Sequence, residues 1–468
     1  MRKKTSGSAE LLWAFGATGI LAYGVFVTSV SPTLSFSAQP SHHLVLLFVA
    51  VRILVGVLFV VCMLNVARVP DTRTSIAVII GVGLAVRVVL LFSEPVLEDD
   101  YNRYIWDGAL AAHGVNPFRY SPEEMVEGRG DSGSPEMSGP DAGPVVEGIN
   151  HPHIRTIYPP FAQAVFAAAY LLSPWKLWGW KLLILIADSL VVLLVLRLLR
   201  LLDLPSPLAA VYWWNPILIH EFSNALHMDV LVLPPVLAAL ILVLRAKTTA
   251  GVSVLALASG FKVWPALLLP LFTRRSAGVK RERLKLFVLA SVIVVLVFTP
   301  VLVTPLDESL GFVKYASSWT NNQALFTVLH WVVSGVSAPF TVSHDLALGM
   351  TRVLSSVLII GIALRLARRP ILNAPDMVRR MLLTVAWLFF LSPTQFPWYY
   401  TWMVPLLALW PSPALLMYAV TLPLFQLVYR WEFLVWIQHI PVFLLFLWEI
   451  TSGKTFSGLR TGNHAGSV

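Results

Sequence analysis

The chain has a single cysteine, Cys62, among 468 residues. One thiol excludes an intrachain disulfide and a thiolate metal site, and it leaves the redox compartment undetermined. Charge is scarce as well: only 13% of residues are Asp, Glu, Lys or Arg, about half the share in soluble globular domains. With 57% hydrophobic residues and a mean hydropathy of +0.74, the chain is excluded from the soluble class and reads as a polytopic membrane protein. The charge that is present is lopsided, with 34 basic against 25 acidic residues and a formal net charge of +9. Those basic residues cluster in short segments between apolar runs, 274–285 and 365–380, as cytoplasmic loops do. Topology accounts for the charge, and no nucleic-acid partner is expected. Also missing is an internal repeat strong enough to suggest a transporter built from two matching halves.

What is there is a succession of apolar runs. Residues 11–30, 44–67 and 75–92 are each close to the roughly 20 residues that cross a bilayer. The N-terminus, basic at 1–4 and apolar from Leu11, resembles a signal peptide. Its run is long enough to span and carries no clear small-residue cleavage site, so it reads as a retained signal anchor with its basic end inside. Loop 31–43 has no Lys or Arg, whereas Arg68 and Arg73 lie between the second and third runs. The positive-inside rule then places residues 94–157 on the extracytoplasmic side of the inner (plasma) membrane. Runs 208–222, 230–244, 252–259 and 263–272 include lengths too short to span, so half-helices or re-entrant elements are expected there. Such elements are tolerated only where protein or a water-filled cavity satisfies their backbone, which hints at a binding groove. Later runs bring the expected total to about 11 to 13 spans, some short or re-entrant, with the tail carrying Lys454 and Arg460 on the cytoplasmic side. The fold class is all-α: a polytopic transmembrane helical bundle, a single domain over 1–468, with a long first extracytoplasmic loop at 94–157.

That loop has two unlike parts. From Asp100 to His113 it has helix-forming character, with acids at its start, Gly114 available as the C-terminal cap and a turn at Asn116-Pro117. Residues 121–150 are rich in Gly, Ser, Pro and acids and are expected to be a disordered, mobile insertion.

The chemistry gathers at the outer ends of the apolar runs. Glu98, Asp99 and Asp100 stand at the start of the loop helix. One acid there is explained as an N-cap; three are not. Clustered carboxylates at a membrane boundary suit a raised pKa or a bound divalent cation, and a carboxylate so placed can take a proton from an attacking hydroxyl. Arg103 and Asp107 are four apart on the helix and in position to pair. Tyr104 and Trp106 fit an interfacial belt equally well. Lys262 lies between Phe261 and Trp264 in an apolar run; it either meets an anion or snorkels to the interface. His227 and Asp229 share a polar segment with Asn215, His220, Glu221 and Asn224. Two residues apart on a helix, His227 and Asp229 point in different directions, so polar cavity lining is the better reading than a metal site. In the last outer turn, Gln395 and residues 398–400 either stack on a sugar or mark the interface.

The stretch DDYNRYIWDGALAAHGVNPFRYSP, residues 99–122, resembles the first outer loop of bacterial GT-C glycosyltransferases, particularly the mannosyltransferase-like members that use polyprenyl-phosphate sugars. TIYPPFAQ at 156–163, WWNPILIHEFSNALHMD at 213–229, SGFKVWP at 259–265 and SPTQFPWYYTWMVP at 392–405 fit the same superfamily in the same order, so the similarity spans most of the chain. The resemblance implies an inverting transferase that moves a monosaccharide, mannose first, from a polyprenyl-phosphate donor to a hydroxyl of an envelope glycan or glycolipid. It implies an acid of the first outer loop as base, here Asp100 or Asp99, with Asp100 preferred because it directly precedes the YNRYIWDG helix. A phosphate leaving group then calls for cations, and Arg103, Arg155, Lys262 and Lys314, with His151 and His153, are the candidates. Tyr104, Tyr158, Asn215, His227, Asp229, Gln395, Trp398 and Tyr399 are expected to line the substrate cavity. No cofactor is certain; a divalent cation is an option, with Glu98, Asp99 and Asp100 as its ligands. A lipid or polysaccharide transporter is the alternative, but it calls for charges spread through several spans rather than gathered at outer ends. A purely structural membrane protein leaves the acid cluster without a purpose.

Overall fold

The computed structural model describes residues 7–128, 141–274 and 280–453, and within them the regular secondary structure is all helical, joined by turns and loops that carry three isolated bridging contacts. The basic residues at 1–4, Lys454 and Arg460 lie outside the described residues. The first three helices are α1 (Gly7–Leu34), α2 (His42–Leu64) and α3 (Arg73–Leu90). Each of the latter two begins where a hydroxyl offers an N-cap: Ser41 accepts from the amide of Leu44, and Thr72 from that of Ser75. The next helix, α4 (Asp100–Ala112), carries the acids at its start. It is followed by α5 (Pro122–Val126), α6 (Ala142–Glu147), α7 (Pro160–Leu172) and α8 (Trp178–Leu201).

Among the described residues, six helices are long and apolar enough to cross a membrane: Glu10–Leu34, His42–Leu64, Arg73–Leu90, Trp178–Leu201, His344–Arg368 and Leu434–Ser452. Pro216–Ser223 and Met228–Leu244 make a seventh if taken as one span, bent by 105° at the intervening break. Four shorter apolar helices, Pro160–Leu172, Thr248–Ala258, Leu325–Phe340 and Pro413–Val428, account for much of the difference from the span count read off the sequence. The first two of these, with 13 and 11 residues, rise about 20 Å or less at about 1.5 Å per residue, and the other two are also too short for the roughly 30 Å hydrocarbon core. The expectation of broken or re-entrant elements in 205–275 therefore takes the concrete form of a sharp bend at residues 224–227.

The described parts of 121–150 differ from the disordered insertion expected there. Ser121 and Glu124 form a reciprocal capping box around Pro122 at the start of α5. Met125, Ala142, Val145 and Ile149 pack on Ile105, Trp106, Ala109 and Leu110 of α4. A low apolar content was enough here because Met125, Ala142, Val145 and Ile149 gather on one helix. Residues 129–140 lie outside the described residues.

α4 in turn lies against α7, and the approach is close. A Cβ on Gly108 would sit 2.4 Å from the carbonyl oxygen of Phe166, so only glycine permits this spacing. Beneath the loop, Arg87 of α3 and Asp188 of α8 form an ion pair at 2.6 Å with both side chains buried. Tyr212 donates to the second oxygen of Asp188 at 2.5 Å, and Arg87 also donates to the carbonyls of Gly83 and Trp213. This network bolts the first spans to the rest of the bundle, leaving the outer ends of α1 and α3 to carry the acid-bearing turn.

Candidate active site

The acids sit on a turn held from three sides. The amide of Leu97 donates to Leu34 O at the end of α1. Asn224, in the bend, accepts from the amide of Val96 and donates to Ser93 Oγ and Glu94 O. Leu97 and Leu226, one on each facing turn, have φ of 54° and 66°, a region that costs a leucine on the order of 1–2 kcal/mol. Such local strain persists only where the surroundings enforce it, as the Asn224 clamp does here.

At the head of α4 the cap is Glu98, not an aspartate. Glu98 Oε1 accepts from the amides of Asp99 and Asp100 at 3.1 and 3.2 Å, while Asp99, at the N-cap position, makes no side-chain cap bond. The carboxylates of Asp99 and Asp100 are thus left to face a cavity of about 1090 Å³, which Glu98 also lines. Burial, reinforced by the charges of Glu98 and Asp100, holds the Asp99 carboxyl up to about 7. Burial and then the charge of Glu98 likewise raise Asp100 above the usual carboxylate range, against the opposing pull of His227 and Lys262. Tyr104 donates to Asp100 Oδ2 at 3.5 Å and stacks on Phe166 with centroids 4.8 Å apart.

The bend supplies the opposite wall. His227 is fully buried, with Nε2 3.2 Å from Glu98 Oε2 and Nδ1 3.9 Å from Asp100 Oδ2. Its ring stacks on Trp398 at 3.9 Å. Asp229 lines the cavity, accepting from Trp402 Nε1 at 2.6 Å and pairing with Lys262 Nζ at 3.0 Å. Lys262 meets an anion, as one of its two readings required, and its ammonium also lies 4.6 Å from the Tyr399 ring centroid. Tyr158, Trp398, Tyr399 and Trp402 complete an aromatic lining.

Of the residues singled out in the sequence, the structure brings Glu98, Asp99, Asp100, Tyr104, His151, Tyr158, Asp229, Lys262, Trp398 and Tyr399 to this one cavity, with His227 directly behind. Four others sit elsewhere. Asn215 is buried as the N-cap of Pro216–Ser223, accepting from the Ile217 amide. Gln395 is buried, donating to the carbonyls of Phe389 and Phe390 and accepting from the amide of Ala324. Arg103 and Arg155 line a smaller adjoining cavity of about 70 Å³, and their charges are already engaged. Arg103 pairs with Asp107 at 2.8 Å and donates to Ile154 O. Arg155 reaches Phe118 O, Pro305 O, Ser309 and Asp307.

Two contributors, Arg52 and Trp402, went unremarked in the sequence. Glu221, noted there only as part of a polar segment, lies 3.3 Å from His227 Nε2 and is paired in turn with Arg52 of α2 at 3.2 Å. An arginine inside an apolar span is itself a signal of a buried partner, so Arg52 was findable. Trp402, one of 17 tryptophans, gave none.

Carboxyls shifted upward by burial, a lysine and a bank of aromatic rings thus surround one cavity in a bundle of membrane helices. Residues 7–278 match the family described as alpha-(1->6)-mannopyranosyltransferase, N-terminal domain, and residues 324–430 match the MptB C-terminal domain. The chain belongs to this mannosyltransferase family and is a multi-pass membrane glycosyltransferase. Comparison with curated proteins and with solved structures gave no match. The first matched region carries the acids, His227, Asp229 and Lys262, and the second carries Trp398, Tyr399 and Trp402, so both contribute to the cavity.

Proposed function

We propose that the protein transfers one mannosyl residue from a polyprenyl-phosphate donor to a hydroxyl of an envelope glycan or glycolipid, with inversion, on the extracytoplasmic side of the inner membrane. The observation that carries this reading is a single cavity with a mixed lining. Asp99, Asp100 and Lys262 line it together with an apolar set, Val263, Leu267, Ile359, Ile360 and Leu388. Val263 and Ile360 are exposed, and Ile360 lies inside the candidate span His344–Arg368. A polyprenyl chain entering from the bilayer would run along the apolar residues and deliver its phosphate and sugar to the acids and the lysine. Outer-side placement rests on the absence of Lys and Arg from loop 31–43 and their presence at 68 and 73.

In this mechanism Asp100 accepts the proton of the acceptor hydroxyl as the hydroxyl oxygen bonds to the anomeric carbon, and the bond from that carbon to the phosphate oxygen breaks. The lipid phosphate leaves with the bonding electrons. A single displacement inverts the anomeric centre, so an α-(1→6) product, as the family's description names, calls for a β-linked donor. Aromatic faces at Trp398, Tyr399 and Trp402 are placed to stack on the sugar. Asp100→Asn keeps the shape and removes the basicity. Purified variants assayed with polyprenyl-phosphate mannose should lose about 10²- to 10⁴-fold in rate; transfer intact in both Asp99→Asn and Asp100→Asn means the mechanism is wrong.

A further inference from the structure

We infer that Glu98, Asp100 and His227 form a binding site for one divalent cation, whose role in transfer, though not its existence, rests on the phosphate-donor reading above. One carboxylate oxygen from each acid and one ring nitrogen of His227 all lie within 4.8 Å of one another. An octahedral ion with bonds of about 2.0–2.1 Å spaces its ligands about 3–4 Å apart, so closing this set takes side-chain shifts of less than an ångström. The set departs from the three consecutive acids that the sequence suggested: the chain brings in an imidazole from the distant bend in place of Asp99.

The imidazole is an independent pointer. His227 is 0% exposed, and although Nε2 lies 3.2 and 3.3 Å from carboxylate oxygens of Glu98 and Glu221, Nδ1, 3.9 Å from Asp100 Oδ2, has no hydrogen-bond partner. Buried polar atoms are nearly always satisfied, and an orphan calls for an explanation such as an ion. Trp398 fixes the ring plane by stacking, which directs the ring edge at Glu98 and Asp100. Glu221, anchored by Arg52, sits 3.3 Å from Nε2 and leaves Nδ1 as the ligating nitrogen, in the manner of the outer partners that orient metal-bound histidines.

Charge balance gives a second argument. Five carboxylates, Glu98, Asp99, Asp100, Glu221 and Asp229, gather around this part of the cavity against three basic groups, Arg52 paired with Glu221, Lys262 paired with Asp229, and His227 beside Glu98 and Glu221. Arg103 and Arg155 are engaged with Asp107 and Asp307. A phosphate anion entering such a site meets net repulsion at contact distances in a partly desolvated cavity, where Coulomb energies are several-fold larger than in water. A divalent ion between the acids and the phosphate turns that repulsion into attraction. Two carboxylates and one imidazole form a mixed hard and borderline donor set, suited to Mn²⁺ among the available ions.

The test uses the full-length protein in detergent, stripped with a chelator and titrated with Mn²⁺, free ion being read by its electron paramagnetic resonance signal. The wild type should bind one equivalent. Glu98→Gln and His227→Gln should each weaken binding by at least about tenfold, while Asp229→Asn, which removes a neighbouring acid that is not a ligand, should keep it. Glu98→Gln, the isosteric change, keeps the test decisive should loss of the imidazole from under Trp398 unfold the chain. No Mn²⁺ bound by the wild type, or binding undiminished in both ligand variants, overturns the site. A wild type that binds Mn²⁺ as expected yet transfers nothing from polyprenyl-phosphate mannose leaves the site standing and removes the donor.

Discussion

Arg103 was a candidate phosphate ligand in the sequence, and the structure gives it a competing duty whose energetics separate the two roles. Asp107 is fully buried. One of its oxygens accepts from Arg103 Nε at 2.8 Å, and the other from Thr156 Oγ1 at 2.5 Å and Gln163 Nε2 at 3.1 Å. This knot ties α4, and with it Asp99 and Asp100, to α7 and the strap before it. Removing one partner of a buried pair costs about 3–5 kcal/mol because the other charge is left uncompensated. Asp107→Asn keeps one acceptor oxygen, and Arg103 keeps Ile154 O, so the expected loss is at the low end, about 3 kcal/mol. Removing both charges is expected to cost less than either single change, since Thr156 and Gln163 retain their own bond at 2.9 Å. The assay is hydrogen exchange at α4 amides alongside transfer rate. Asp107→Asn and Arg103→Met should each speed exchange in α4 while leaving α2 and α8 protected, and the double variant Arg103→Met with Asp107→Leu should recover both protection and most of the activity. Activity lost in Arg103→Met and not recovered in the protected double variant refutes the latch and makes Arg103 a ligand of the donor.

Other consequences follow from single contacts. Lys262→Met should lower transfer by about 10²-fold, the scale for removing one charge-stabilising group, while Lys262→Arg recovers part of it; full activity in the methionine variant would show that the ammonium merely pairs with Asp229. Gly108→Ala should destabilise the protein by about 1–3 kcal/mol, as overpacking does, because the new methyl meets the Phe166 carbonyl, and a melting temperature equal to that of the wild type would disprove the close approach. Asp188→Asn, far from the cavity, should cost about 3–5 kcal/mol by stranding Arg87, with the paired change Arg87→Leu and Asp188→Leu restoring folded yield.

The class of the molecule was open to reading from composition alone, since an apolar share of this size and so little charge permit no soluble core. The acid cluster before α4 stood out for a physical reason too: three adjacent carboxylates exceed what one helix start can use. The helix itself, its Gly114 terminus with φ +77°, and the candidacy of Lys262 all came from local rules that act over a few residues. The content of 121–150 misled because composition averages over a segment, whereas Met125, Val145 and Ile149 act by facing one surface. Asn215 and Gln395 misled because a buried amide serves a helix cap or stray carbonyls as readily as a substrate.

What only the tertiary structure decided is which distant residues meet. Glu98 and His227 are 129 positions apart, close enough to touch because the chain bends by 105° after Ser223 and Asn224 clamps that bend to the acid-bearing turn. No periodicity or propensity encodes that meeting, since it depends on helices packing through Arg87, Asp188 and Gly108. The sequence by itself determined a membrane helical bundle with acids clustered at one turn. Packing decided that Glu98 caps α4, that Arg103 and Arg155 brace loops, and that an imidazole completes the acid cluster.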